Sequence, residues 1–186
     1  SIALIRAAID AGMRYIDTSR GYGESEWVVG RALKGGYRKK VILSTKWAPW
    51  TIKIAPDDSP SADCVRRRIE ESLRRLDVSY LDLYQVWSLC TPEQYLQATR
   101  KGGMLDGIRK AMREGIVRHT GFTTHDTVEH LLGYVKQNEW FDVILVSYHM
   151  LNRVYAPVLQ AARDQGMGTL VMNPVGGGLF AEESRV

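Results

Sequence analysis

What most constrains this chain is an alternation of helical and strand-like segments that runs from end to end. Residues 1–12 carry Ile2, Ile5, Ala8 and Ile9 at i, i+3, i+4 spacing and stop at Gly12, which reads as the end of an amphipathic helix. A strand is expected over 13–18, a helix over 24–33 closed by Gly35 and Gly36, and a strand rich in β-branched residues over 40–46. Residues 60–76 make a strong helix: Ser61 sits where an N-cap belongs, Val65, Ile69, Leu73 and Leu76 share one face, and arginines fill the other. A strand over 80–87 leads into a loop holding Thr91 and Pro92. Helices over 104–114, 127–137 and 153–165 then alternate with strands over 117–123, 141–148 and 168–173, and a glycine-rich loop occupies 175–180.

Six strands separated by helices predict an α/β fold with a parallel sheet. Two architectures satisfy that pattern, a doubly wound open sheet and a (β/α)8 TIM barrel. No G-x-G-x-x-G joins a strand to a helix, which removes the main support for the doubly wound sheet. Asp17, Lys46, Trp87, Thr123, Tyr148 and Asn173 all fall at or just past the C-terminal end of an expected strand. In a barrel those ends converge on one mouth, where enzymes of that fold keep their active sites. The barrel is therefore expected, incomplete, with about six of its eight strands. One strand would precede Ser1, and one more with its helices would follow Val186, so residues 1–186 read as a single domain that is a fragment of a barrel.

Composition narrows the class of function. With 45% hydrophobic and 25% charged residues and only two cysteines, the chain is neither disordered nor a disulfide framework. Cys64 and Cys90 have no C-x-x-C context, so a reducing cytoplasmic setting is expected. No apolar run reaches the length of a membrane span, and residues 1–11 lack the pattern of a signal peptide. The net charge of +4 is mild, and its densest runs, Arg38-Lys39-Lys40 and Arg66-Arg67-Arg68, are far apart. Solvated faces are the expectation for them, with no nucleic-acid and no membrane partner. His119, His125, His130 and His149 lack metal-ligand spacing, so no metal is expected; His125 alone is placed for the mouth, in a loop or capping role. Trp47 and Trp50 follow Lys46 and are candidates to wall a pocket.

The densest polar cluster is Asp17-Thr18-Ser19-Arg20-Gly21-Tyr22-Gly23-Glu24. A phenol with its ordinary pKa near 10 is a poor acid at neutral pH. An ammonium beside it favours the phenolate, and a carboxylate can hold that ammonium in place. Asp17, Tyr22 and Lys46 can thus build a general acid that protonates a carbonyl oxygen as hydride reaches the carbon. On spacing alone the three stay open between this chemistry and a turn carboxylate, a loop aromatic and a solvated lysine.

The stretch AGMRYIDTSRGYGESEWVVGRALK, followed by KKVILSTKW, resembles the aldo-keto reductase family. Further segments are similar in the same order: LRRLDVSYLDLYQV, EGIVRHTGFTTHD, FDVILVSYHMLNR and LVMNPVGGGLF. The resemblance covers essentially all 186 residues and implies a TIM barrel binding a nicotinamide cofactor, NADP(H) in preference to NAD(H), without a Rossmann fold. It implies Tyr22 as proton donor, Lys46 as its partner and Asp17 as the carboxylate behind Lys46. The family's catalytic histidine is absent, and Trp87 takes its position, with one indole N–H and no titratable base. Among the cofactor positions the resemblance points to Thr123, Thr124, Met172, Asn173, Val175 and Gly177, with Leu145 where the family has a glutamine. The segment that grips the adenosine 2′-phosphate in the family would fall beyond Val186.

The function expected is an NAD(P)H-dependent oxidoreductase that interconverts a small carbonyl compound and its alcohol, with Tyr22 as general acid. The alternative is a catalytically weak or inactive binding or regulatory subunit on the same fold. The three retained polar residues favour the enzyme, and the missing histidine favours the alternative. Neither the substrate nor the oligomeric state is legible in the sequence.

Overall fold

The computed structural model describes residues 2–180. Six strands form one parallel sheet: β1 (Tyr15–Asp17), β2 (Ile42–Trp47), β3 (Leu81–Val86), β4 (Val117–Thr123), β5 (Val143–Ser147) and β6 (Gly168–Met172). Their order across the sheet is their order in the chain, and every neighbouring pair is parallel. A doubly wound sheet reverses its strand order partway. Here there is no reversal, so right-handed crossovers put the helices on one face and the sheet curls its other face inward. The result is a half-barrel, as the strand spacing predicts, in which, among the described residues, β1 pairs only with β2 and β6 only with β5.

The helices are α1 (Ile2–Asp10), α2 (Ser25–Ala32), α3 (Ala62–Leu76), α4 (Pro92–Thr99), α5 (Met104–Arg113), α6 (Val128–Lys136) and α7 (Ala156–Asp164). Short 3₁₀ turns cover Tyr37–Lys40 and Gly176–Gly178. The expected helix start at Ser1 lies outside the described residues. Helix α4 occupies what the sequence reading leaves as loop. Its signals are ordinary ones: Thr91 caps it by accepting the Gln94 N–H at 3.2 Å, Pro92 opens it, and Glu93 lies in its first turn. Strand β1 is shorter than expected, because an edge strand has a partner on one side only.

Alternation along the strands sorts the side chains. Ile16, Leu43, Trp47, Tyr84, Val86, Phe122, Ile144 and Val146 are buried in the hydrophobic core. On the opposite parity, Asp17, Lys46, Trp87, Thr123, Leu145 and Met172 meet at the C-terminal ends of the strands. Tyr15, Ile42, Leu83, His119, Val143 and Leu170 line a second hollow at the other end.

Lys39, Lys40 and Arg67 are exposed as expected, but most of the basic runs are ion-paired. Among the described residues, Arg38 pairs with Asp82, Lys40 with Asp10, Arg66 with Glu70 and Glu114, Arg67 with Asp57, and Arg68 with Asp58 and Glu71. Arg68 is only 6% exposed and Arg75 is half-buried, so the outer-face reading is corrected for these two, while Arg67 and Arg74 are exposed as expected. Helical periodicity shows that arginines share a face; it does not show that carboxylates of two loops cover that face. Cys64 and Cys90 are both free thiols.

Candidate active site

The mouth is a cavity of about 360 Å³ lined by Asp17, Tyr22, Lys46, Thr51, Trp87, Ser88, Thr123, His125, Leu145 and Met172. Parallel pairing puts Asp17, Lys46 and Gln85 on three consecutive strands: Lys46 is in register with Gln85, and Asp17 with Ser44, two residues before Lys46. Lys46 Nζ is ion-paired with Asp17 and donates to the Thr18 carbonyl at 3.0 Å. An ammonium has three donors, so one stays without a hydrogen bond to these two. Nζ lies 5.0 Å from the centre of the Tyr22 ring, a cation–π distance. The structure thus brings Asp17, Lys46 and Tyr22 together, but through the ring face and not through a Tyr22–Lys46 hydrogen bond.

Asp17 is held from below as well. Gln85 Nε2 donates to its carboxylate at 3.1 Å and to Ser44 Oγ at 2.9 Å, and the Tyr15 hydroxyl donates to it at 3.4 Å. Burial, then the neighbouring Asp17 charge, pushes the Tyr15 phenol far above its usual range, so Tyr15 acts only as a neutral donor. The Lys46 side chain is 4% exposed, and Tyr22 is 47% exposed at the rim.

Trp87 faces the mouth. Its ring meets the Tyr22 ring edge-on at 5.2 Å between centres. It also underlies the Tyr22 loop: a Cβ at Gly21 would lie 2.6 Å from Trp87 Cζ3, so the indole needs glycine there. Two local features hold this corner. Ser88 has a φ of 55° and donates its N–H to Thr123 Oγ1 at 2.9 Å. Trp50 Nε1 donates to the carbonyls of Trp87 and Ser88 at 2.8 and 2.9 Å. Trp50 therefore braces the end of β3 from behind, and Trp47 is fully buried with its Nε1 on the Ile52 carbonyl at 3.0 Å. Neither lines the pocket; the β2 loop contributes Thr51 instead.

The expected cofactor residues divide. Thr123 and Met172 line the mouth. Thr124 is fully buried, and its hydroxyl donates to Leu89 O at 2.5 Å and accepts from the Asp126 N–H at 3.0 Å. That hydroxyl shapes the loop. Asn173, Val175 and Gly177 sit on the exposed turn after β6, outside the cavity lining. Tyr148 likewise stays outside, its hydroxyl accepting from Arg153 Nε at 3.0 Å.

His125 lines the mouth, where its place just past the end of β4 puts it. Its neighbours fix it there: Thr124 and Asp126 are buried, and Asp126 is bound by His130, Tyr134 and the Thr127 N–H. Ser88 and Thr51 line the mouth as well and are not among the residues expected there from the sequence. A loop position next to a strand end was the only signal for any of them. Among the described residues no group of three metal-ligating side chains comes together.

Comparison with known proteins supplies the rest. The model of the Aldo/keto reductase family matches residues 1–185. The chain is 29% identical over 192 residues to an NADH-specific methylglyoxal reductase of Escherichia coli, covering 96% of this chain and 57% of that protein. It is also similar to the holo form of an aldo-keto reductase from Bacillus halodurans (TM-score 0.77, 25% identity, 96% of this chain, 60% of that one). A Klebsiella pneumoniae aldo/keto reductase solved with NADP and acetate has a TM-score of 0.77 at 27% identity, covering 98% and 62% of the two chains. The chain thus spans less than two thirds of the length of these relatives. With a family match along almost its whole length and the six-stranded half-barrel beneath it, the chain belongs to the aldo/keto reductase family.

Proposed function

We propose that the protein is a nicotinamide-dependent oxidoreductase that interconverts a small carbonyl compound and its alcohol, with Tyr22 as general acid. The observation that carries this reading is the meeting of Asp17, Lys46 and Tyr22 in one mouth. The residues there suit a nicotinamide: Met172, Leu145 and Trp87 offer apolar walls for a flat ring, and Thr123 offers a hydroxyl to a carboxamide. Bound there, the cofactor would supply the hydride. Tyr22 would hand its proton to the carbonyl oxygen and recover one from solvent through the open rim. Lys46, held by Asp17 and the Thr18 carbonyl, keeps positive charge beside the phenol and stabilises the phenolate left behind. Trp87 cannot relay a proton; it narrows the site and favours flat or apolar carbonyl compounds. Its indole N–H, like Thr51 and Ser88, can only orient an oxygen.

For the cofactor we propose NADP(H) ahead of NAD(H), on the strength of the NADP complex of the Klebsiella relative. The Escherichia coli relative is named as NADH-specific, so the order is open to direct measurement. The test is fluorescence titration of the full-length protein with both cofactors, then their oxidation against a panel of aldehydes and ketones. Turnover of carbonyl compounds with tighter NADPH binding is expected. Tight cofactor binding with no turnover of any carbonyl would favour the regulatory reading, for which the missing imidazole at Trp87 is the supporting feature. Tighter NADH binding would reverse the cofactor order.

A further inference from the structure

We propose that helix α3 clamps the loop that carries Tyr22, with Glu71 and Arg75 as positioning residues for the phenol; this rests on the reading of Tyr22 as the acid. Arg68, Glu71 and Arg75 stand at i, i+3 and i+7 and so form one stripe along the helix. Two residues before Tyr22, Arg20 Nε donates to Glu71 Oε2 at 3.1 Å. The same carboxylate oxygen accepts from Arg68 at 2.7 Å, and Arg68 continues to Asp58 Oδ1 through two donors at 3.1 and 2.6 Å. On the other side of Tyr22, Arg75 donates to the Gly23 carbonyl at 2.5 Å and to Glu26 Oε2 at 2.9 Å. Glu26 then accepts from Thr45 Oγ1 at 2.8 Å, one residue before Lys46.

The loop is therefore gripped two residues before the phenol and one residue after it. The grip also reaches the strand that bears the ammonium. Tyr22 itself is 47% exposed, and its ring meets Trp87 in a T-shaped contact and lies 5.0 Å from the Lys46 ammonium. Backbone placement of the loop must set where the hydroxyl sits. The ionic contacts are sheltered: the side chains of Glu26, Arg75 and Arg20 are 0%, 14% and 17% exposed. An apolar stripe would pack the loop with less desolvation cost. Charge-assisted hydrogen bonds add a fixed distance and direction, which is what a proton donor requires.

The experiment is single-turnover cofactor oxidation in the full-length protein for Arg75→Ala, Arg75→Lys and Glu71→Gln. Each is measured alone and in a Tyr22→Phe background, with cofactor Kd and a thermal melt run alongside. Arg75→Ala and Glu71→Gln are expected to lower the rate roughly 10–100-fold with Kd unchanged. Arg75→Lys should recover part of the rate, and none of them should lower it further once Tyr22 is Phe. Arg20→Met, which breaks the clamp's other grip at Glu71, is the second probe if Arg75→Ala does not fold, with the same expected direction. Equal losses in both backgrounds, or a lower Tm with an unchanged rate, would overturn the proposal. A Tyr22→Phe protein that keeps its full rate would instead remove the acid assignment, and the clamp with it.

Discussion

Trp87 sits at the end of β3, where the resemblance leads one to expect a histidine, and its surroundings show what the indole does there. The indole fills the space under Gly21 and braces the Tyr22 ring edge-on, so the residue works as packing for the acid loop. Trp87→His should open the mouth and replace the indole donor with a smaller, titratable one, raising kcat/KM for small aldehydes roughly tenfold, about the worth of one better hydrogen bond to the developing oxyanion. Steady-state kinetics beside thermal melts checks this; a lower Tm with no gain in rate would show that packing is its whole role. Asp58 offers a second test. Burial alone would raise its carboxyl, but the Ala55 N–H, Arg68, the Ile54 N–H and the Cys64 thiol together hold it down at about 2. A carboxyl lowered on folding stabilises the protein above its unfolded pKa, and that contribution disappears as pH falls through the folded value. From 3.8 to about 2 this is about 2 kcal/mol, lost between about pH 4 and pH 2. Urea denaturation should therefore show the gap between wild type and Asp58→Asn shrinking by about that much from pH 5 to pH 2.5. A gap independent of pH would contradict the assignment.

Helix packing around α3 makes a prediction that opposes intrinsic propensity. A Cβ on Gly107 of α5 would lie 2.3 Å from the Ala62 carbonyl at the start of α3. Alanine is favoured over glycine in a helix interior by about 1 kcal/mol. Yet Gly107→Ala should destabilise by about 1–3 kcal/mol, because the two helices must part. A higher urea midpoint would show that the close approach is not needed. The elements themselves were largely legible, because each strand and each amphipathic helix carries its own period and stop residue. Helix α4 was not, although Thr91, Pro92 and Glu93 spell a helix start, because its eight residues show little amphipathic pattern. The stripe of α3 was read as solvated for a different reason. Spacing shows that Arg68, Glu71 and Arg75 share a face, but their partners lie in loops up to 52 residues away.

At the scale of the whole molecule, parallel order does the work of gathering the site. Strands laid side by side in chain order bring Asp17, Lys46, Trp87, Thr123, Leu145 and Met172 to one end, although they span most of the sequence. For Asp17, Lys46, Trp87 and Thr123 that followed from strand ends alone; on β5 and β6 the strand ends pointed to Tyr148 and Asn173, whereas Leu145 and Met172 line the mouth. The way Lys46 meets the Tyr22 ring, and the presence of Thr51 and Ser88 in the mouth, depended on loop conformations that no period encodes. The central claim is that this gathering makes Tyr22 a proton donor to a carbonyl oxygen. The most direct test is single-turnover NADPH oxidation with a small aldehyde by full-length wild type and Tyr22→Phe, at cofactor concentrations set from each protein's own Kd. The account predicts a loss of roughly 10²–10⁴-fold in the Phe variant with an unchanged cofactor Kd. A Phe variant that binds cofactor normally and oxidises it at close to the wild-type rate would contradict it.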